Sequence, residues 1–209
     1  MTVPSPTRAP SARGFVGHKT SDWRPVLADG IPITPPAQTW GDLAAMIPPG
    51  DLVAAGDYLV GGGSPLCTLD ELILETAMRA GRRGAARAAD AIRHVRVGSE
   101  SPQETRLRLL LVARGLPEPE LNHEIRSPAG AFLARVDLAY PGRRLAIEYE
   151  GDVHRVDLNV FRRDIARRER VEDLGWRMLR VTADDLHPDS EGRLVARVRR
   201  AITSPVRFP

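Results

Sequence analysis

The chain has 209 residues, which is room for one domain, or for a small domain and a medium one. Apolar residues make up 42% and charged residues 27%, which excludes wholesale disorder, and the single cysteine, Cys67, excludes an intrachain disulfide and a multi-cysteine zinc site. The net charge is +3, and the basic residues are one lysine, Lys19, and 29 arginines, so no catalytic lysine lies beyond residue 19. Guanidinium groups bind phosphate bidentately, so this composition suits a phosphate-bearing partner, although a GC-rich genome would also enrich arginine.

The chain shows no sign of a targeting or membrane segment. Its first residues carry no apolar core of signal-peptide length, and no stretch approaches the roughly 18 apolar residues of a membrane span. Together with the single cysteine, this predicts a cytoplasmic protein without a membrane partner. The sequence does not fix the oligomeric state, and a homodimer is compatible with it.

Three regions follow one another along the chain. Residues 1–36 are rich in Pro, Ser, Gly and Thr and have no apolar period, which predicts an extended or mobile arm. Residues 37–98 have a helical period interrupted at Gly81 and Gly84, which predicts a small helical N-terminal segment. Residues 99–209 change rhythm again and form the main predicted domain.

The main domain is predicted to follow the order α-β-β-β-α-β-α. Its first helix begins at Ser101, with proline at the first position and Glu104 at the third, which is typical of a capping box. Helices are also predicted at about 158–174 and 190–202. The predicted strands are, in chain order, LNHEIRS, AFLARVDLAY, RRLAIEYE and WRMLRVT. This order predicts an α/β (α+β) fold.

The second and third strands form a predicted hairpin. Proline followed by glycine after Tyr140 is typical of a two-residue turn, which would pair Tyr140 with Arg143. Further pairs in that register are Leu138 with Leu145 and Val136 with Ile147. Side chains alternate along a strand, so Asp137, Glu148 and Glu150 are predicted to share the opposite, polar face. A loop two residues longer would keep this arrangement, whereas a one-residue slip would reverse it.

Three carboxylates on one patch have two interpretations. Clustered carboxylate oxygens suit a hard divalent cation, Mg²⁺ or Mn²⁺. Arginines surround these acids in the sequence, and Gly151 follows them directly, which leaves room for a bound molecule to approach closely. The same three acids would also form the solvated face of a half-exposed sheet. From the pattern alone, both interpretations stay open.

The main domain resembles a known nuclease superfamily. The segments SPQETRLR, RVDLAYPGRRLAIEYEGDVH and DIARRERVEDLGWRMLRVTADDL, with their αβββαβ order, resemble the PD-(D/E)XK nucleases in their very-short-patch-repair-like endonuclease branch. The resemblance covers about the last half of the chain. It implies a restriction-endonuclease-like αβββαβ core and metal-dependent cleavage of a DNA phosphodiester bond.

The resemblance also implies roles for the acids. Asp137 stands at the family's aspartate, and Glu148 stands at its second acid. Glu150 stands where many members carry lysine, which leaves the general base open. We expect Glu150 to ligate the metal or orient the attacking water. Glu104 matches an acid on the family's first helix that holds a metal or its water, and it also serves the predicted capping box.

Further residues near the acids are candidates for proton transfer and DNA contact. His154 follows the third strand closely, and we expect it to move a proton, because imidazole as a group titrates near neutrality. Asp164 and Arg167 lie three apart on the long helix and can pair; the resemblance implies that they help form the site or hold the scissile phosphate. Arg162 and Arg163 lie on the same helix and are expected to contact DNA phosphates.

These features favour one function over two alternatives. The favoured function is a metal-dependent endonuclease acting on DNA. The first alternative is a DNA-binding regulatory or antitoxin-like module with a catalytically silent nuclease-like domain, because residues 37–98 resemble the helical part of abortive-infection-type antitoxins. The second is a hydrolase such as a glycosidase, whose carboxylates face each other across a cleft. A hairpin that places all the acids on one sheet face disfavours it.

Overall fold

The computed structural model describes residues 2–14, 17–151 and 158–205. In the last of these ranges, the side chains are described from residue 162 onward. Within these residues the protein is a mixed α/β structure with three sheets and seven α-helices. No helix in these ranges is long and apolar enough to cross a membrane.

The N-terminal arm, expected to be extended or mobile, contains two pairs of short strands. Strands β1 (Thr2–Pro4) and β2 (His18–Thr20) pair in parallel, and β3 (Val26–Ala28) and β4 (Ile31–Ile33) form an antiparallel hairpin. Arg24, between the two pairs, forms an ion pair of 2.9 Å with Glu75, so the arm is attached to the helices that follow.

Four helices make up the next region. They are α1 (Pro36–Leu43), α2 (Pro49–Val60), α3 (Leu69–Met78) and α4 (Ala85–Ala91). Proline at the first position starts α1 and α2, and a Thr68–Glu71 capping box starts α3. Gly84 precedes α4 at φ +85°, and a Cβ there would lie 2.8 Å from the Ala44 carbonyl carbon, so the position requires glycine. The helices pack around the fully buried Trp40, whose indole N–H donates to the Leu52 carbonyl (2.8 Å).

The predicted order α-β-β-β-α-β-α is confirmed in the last region. Its elements are α5 (Pro102–Ala113), β5 (Glu120–Arg126), β6 (Phe132–Tyr140), β7 (Leu145–Tyr149), α6 (Leu158–Glu172), β8 (Arg177–Val181) and α7 (Glu191–Thr203). The strands form one sheet in the order β5-β6-β7-β8, antiparallel except for the parallel β7–β8 pair.

Both faces of this sheet are covered. On one face, Leu138 and Ile147 pack in one core with Leu107 and Leu111 of α5 and Leu194 of α7. On the other, residues of β5, β6 and β7 pack with Val171 of α6: Ile125, Ala139 and Ala146. The face that was expected to be polar is therefore covered by α6 around Ala146.

The predicted hairpin register is wrong by two residues. In the structure, Leu138 pairs with Ile147 and Tyr140 pairs with Leu145. The predicted partners were Leu145 for Leu138, Arg143 for Tyr140 and Ile147 for Val136. The reason is the turn: Pro141–Arg143 forms a 3-10 turn, and Arg144 adopts a left-handed conformation at φ 45°. The longer loop keeps the alternation of side chains. Extending the register by one step brings Asp137 opposite Glu148.

Candidate active site

Asp137 lies at the centre of the acidic site. It is half-buried on β6, and one carboxylate oxygen accepts a hydrogen bond of 2.7 Å from the Tyr149 backbone N–H. Burial raises the pKa of Asp137 to about 6; the Tyr149 hydrogen bond opposes this, the negative charges of Glu104 and Glu148 add to it, and Arg167 opposes it. Three acids from α5, β6 and β7 therefore interact electrostatically. We call Glu104, Asp137 and Glu148 the acid cluster.

Glu104 enters this cluster from the first turn of α5. It is only 7% exposed, and its backbone N–H donates to the Ser101 hydroxyl (3.2 Å). The predicted capping box is only half formed, because the Glu104 carboxylate accepts from the backbone N–H of Glu100 (2.9 Å) instead of that of Ser101. The Glu100 carboxylate in turn accepts from Arg135 on β6 (2.7 Å). The loop before α5 is thus bonded to the strand that carries Asp137.

Glu148 belongs to a second set of contacts on α6 and β8. Arg167 donates to both of its carboxylate oxygens, at 2.7 and 3.2 Å. Arg167 also donates to Asp164 (2.8 Å), which confirms the predicted pair three residues apart on the helix. Arg180 donates to the other oxygen of Asp164 (3.1 Å) and forms an ion pair of 3.0 Å with Glu150. We call these five residues the arginine–acid network.

Opposite charges balance one another within the arginine–acid network. Burial alone would lower the pKa of Arg167, but the hydrogen bonds that Arg167 donates to Glu148 and Asp164 outweigh burial and raise that pKa, so the guanidinium stays charged. The Glu150 backbone N–H donates to the Val181 carbonyl (2.7 Å), which continues the contact between β7 and β8. The charges of Glu148 and Glu150 are therefore opposed by Arg167 and Arg180.

The donor chemistry of the acid cluster fits a hard divalent cation. Carboxylate oxygens are the ligands that Mg²⁺ and Mn²⁺ prefer, and the charges of Glu104 and Glu148 add to the effect of burial in raising the pKa of Asp137. In the part of the chain that the structure describes, no three His, Cys, Asp or Glu side chains form a ready-made metal site. To ligate a cation, Glu148 would have to exchange its contact with Arg167 for one with the metal.

Two curated relatives share most of this chain. They are the proteins called uncharacterized protein MT2308, of Mycobacterium tuberculosis strain CDC 1551 / Oshkosh, and uncharacterized protein Rv2248, of strain ATCC 25618 / H37Rv. Each is 31% identical over 187 residues, which cover 90% of this chain and 68% of the relative. The chain belongs to the family of these two mycobacterial proteins. No family model and no solved structure matches it.

The extent of this match bears on how the family is organised. A match of 187 residues within a chain of 209 has to include most of residues 37–98 as well as the sheet. The match to the mycobacterial relatives therefore spans both the helical N-terminal segment and the region of the sheet in this chain.

The remaining sequence-predicted residues lie around the cluster or outside the described ranges. Arg162 and Arg163 are exposed on α6, the helix that supplies Arg167. His154 lies outside the described residues. The prediction missed Arg180, although the β7–β8 pairing places it beside Glu148. Its signal would have been a basic residue at that register position of the last strand.

Proposed function

We propose that this protein is a metal-dependent endonuclease that hydrolyses DNA phosphodiester bonds with Mg²⁺ or Mn²⁺. One observation carries the proposal: α5, β6 and β7 bring Glu104 and Glu148 close enough to the half-buried Asp137 for their charges to act on it, and burial together with these two acids raises its pKa to about 6. Structural networks also shift pKa values, but here burial and two neighbouring acids act on one carboxyl group that lies beside an arginine. The resemblance to PD-(D/E)XK nucleases assigns the same residues to metal binding.

The fold supports this proposal through its order and its covered sheet. A helix, three antiparallel strands, a helix and a parallel fourth strand follow one another, with α5 and α7 on one face and α6 on the other. We infer that this arrangement is a restriction-endonuclease-like core. In such a core, the second and third strands present the acids.

Each acid has a distinct part in the proposed reaction. Asp137 and Glu148 would hold the cation, with Glu104 as a further ligand of the metal or of its water. A bound divalent cation supplies Lewis-acid polarisation of the phosphate and lowers the pKa of water. The Tyr149 N–H fixes the orientation of the Asp137 carboxylate (2.7 Å), and cation binding favours its ionised form.

The arginines would act on the DNA. If Glu148 held the cation, the Arg167 guanidinium that now contacts it would become available to bind a non-bridging phosphate oxygen and to stabilise the charge that develops during attack. Arg162 and Arg163 would contact phosphates along the strand from the exposed side of α6. Glu150 would orient the attacking water, and proton transfer by His154 remains a prediction.

Plasmid nicking tests this function. Wild-type protein should convert supercoiled DNA to the nicked form with Mg²⁺ or Mn²⁺ and not with EDTA. Asp137→Asn and Glu148→Gln should each abolish nicking. Glu172→Gln is the matched control, because Glu172 is an exposed partner of Arg168 (2.7 Å) on α6, and this variant should cut normally. Nicking by either site variant at the wild-type rate would refute the metal-site assignment.

A DNA-binding regulator without cleavage is the second candidate. Arg167 and Arg180 already oppose the charges of Glu148 and Glu150, so the network does not need a cation. A gel shift in EDTA, combined with no nicking at any Mg²⁺ or Mn²⁺ concentration, would support the regulator over the nuclease.

A further inference from the structure

A buried ion pair joins the helical N-terminal segment to α5. Asp57 of α2 accepts a hydrogen bond of 2.8 Å from Arg108 of α5, and both side chains are only 1% exposed. A buried charge pair is costly to form unless its remaining hydrogen-bonding groups are satisfied, and removing one partner leaves the other charge uncompensated. The contacts around this pair therefore show what it holds in place.

The contacts of the pair converge on the loop before α5 and on its first turn. Asp57 also accepts from the Arg96 backbone N–H (2.7 Å) and from the Thr105 hydroxyl (2.7 Å). Arg108 also donates to the His94 carbonyl (2.8 Å) and to Glu118 (3.0 Å). One carboxylate of the N-terminal segment thus binds the loop and two positions of α5.

Glu104 of the acid cluster is held by the same contacts. Thr105 follows it directly on α5, and the Thr105 hydroxyl is 2.9 Å from that of Ser99. The next loop residue, Glu100, donates its backbone N–H to the Glu104 carboxylate (2.9 Å). Asp57 therefore fixes both the helical turn that carries Glu104 and the loop that orients its carboxylate.

Helix α5 also packs against two hydrophobic cores, that of the N-terminal helices and that of the sheet. Leu109 packs against the core of the N-terminal helices, whereas Leu107 and Leu111 are buried in the core below the sheet. A helix shared by two cores transmits a shift of one to the other, because packed interiors do not deform freely. The match to the mycobacterial relatives also spans both parts.

We propose that Asp57 is a positioning residue of the acid cluster, through which the N-terminal helical segment orients Glu104 by way of Thr105. This inference rests on the proposed nuclease function and adds that the N-terminal segment belongs to the catalytic unit. If the ion pair were merely structural, disrupting its contacts would change only the free energy of unfolding. If the pair positions Glu104, disrupting its contacts also changes the metal affinity, and does so only while Glu104 is present.

The test uses the full-length chain and Thr105→Val, which removes the hydroxyl donor and leaves the Asp57–Arg108 pair in place. Mutation of residues that orient metal ligands typically lowers metal affinity or activity by about 10-fold or more. We expect Thr105→Val to weaken Mn²⁺ binding, followed by electron paramagnetic resonance, by about 10-fold and to slow single-turnover nicking by a similar factor. Asp57→Asn should act in the same direction with a larger loss of stability.

A double-mutant cycle separates positioning from general damage. In the Glu104→Gln background, Thr105→Val should no longer change the Mn²⁺ affinity, because the two residues act as one unit. Thr76→Val is the control: the Thr76 hydroxyl donates to the Leu72 carbonyl (2.8 Å) within α3, and its loss should leave Mn²⁺ affinity unchanged.

The outcomes for the positioning role and for the nuclease function are distinct. If wild type nicks DNA but Thr105→Val leaves Mn²⁺ affinity unchanged, or lowers it equally with and without Glu104, the positioning role is refuted and the nuclease stands. If wild type binds Mn²⁺ without nicking, the nuclease is refuted and the Mn²⁺ cycle alone decides the positioning role. If wild type does neither, both proposals are wrong.

Discussion

Asp137→Asn should stabilise the metal-free protein, and only at neutral pH. Asparagine resembles the protonated form of the acid and can still accept the hydrogen bond from the Tyr149 N–H. The substitution therefore removes the cost of a buried negative charge next to Glu104 and Glu148 without opening a cavity.

The pKa shift sets the size and the sign of this effect. Folding raises the pKa of Asp137 from 3.8 to about 6, so the folded state holds its proton more tightly than the unfolded chain. The contribution of Asp137 to stability is thus greatest below pH 4 and is lost as the pH rises from about 4 to about 6. At about 1.36 kcal/mol per pKa unit the full shift is worth about 3 kcal/mol, and solvent screening of this half-buried group reduces it to about 1–2 kcal/mol.

Urea unfolding in EDTA at several pH values measures this difference. We expect Asp137→Asn to exceed wild type in free energy of unfolding by about 1–2 kcal/mol at pH 7.5 and by close to zero at pH 4. Asp189→Asn, at a side chain that is 92% exposed, controls for the loss of one negative charge. A difference between Asp137→Asn and wild type that does not depend on pH, or that favours wild type at pH 7.5, would refute the electrostatic account of the cluster.

Three other predictions concern DNA binding, the network and the buried pair. DNA affinity in EDTA should fall steeply with salt, and Arg163→Ala should flatten the log–log slope by about 0.9; an unchanged slope in fluorescence anisotropy would exclude contact by this residue. Glu150→Gln leaves Arg180 less neutralised, so DNA affinity should rise roughly twofold in the same assay, and a fall would contradict the pairing of these residues. Asp57→Asn leaves the buried Arg108 charge with Glu118 as its acidic partner and should lower the free energy of unfolding by about 2 kcal/mol; a loss below about 1 kcal/mol would show that the Asp57–Arg108 pair contributes little to holding the two helices together.

Local patterns were enough to predict the elements of the main domain and the face shared by its acids. The observed loop shifts the pairing of β6 and β7 by two residues, and a shift of two keeps each side chain on its predicted face. Asp137 and Glu148 therefore share one face although the predicted pairs were wrong. The turn itself was mispredicted because the left-handed conformation of Arg144 has no signal in a Pro-Gly pattern. Turn geometry depends on backbone conformations that arginine rarely adopts.

The contacts between distant segments could not be predicted. Arg180 pairs with Glu150 and Asp164 only because β8 lies parallel to β7. The Asp57–Arg108 pair joins two helices of different regions, and no local periodicity of the sequence marks a charge that will be buried. Such pairs are set by tertiary packing, which residue spacing does not report.

The most direct test of the central claim follows Mn²⁺ occupancy and DNA nicking in the same samples. If the acid cluster is the metal site of a nuclease, the single-turnover rate of plasmid nicking should rise with Mn²⁺ concentration in step with Mn²⁺ bound. Both signals should disappear in Asp137→Asn. Nicking that persists in EDTA or in Asp137→Asn, or Mn²⁺ binding that Asp137→Asn leaves unchanged, would contradict the account.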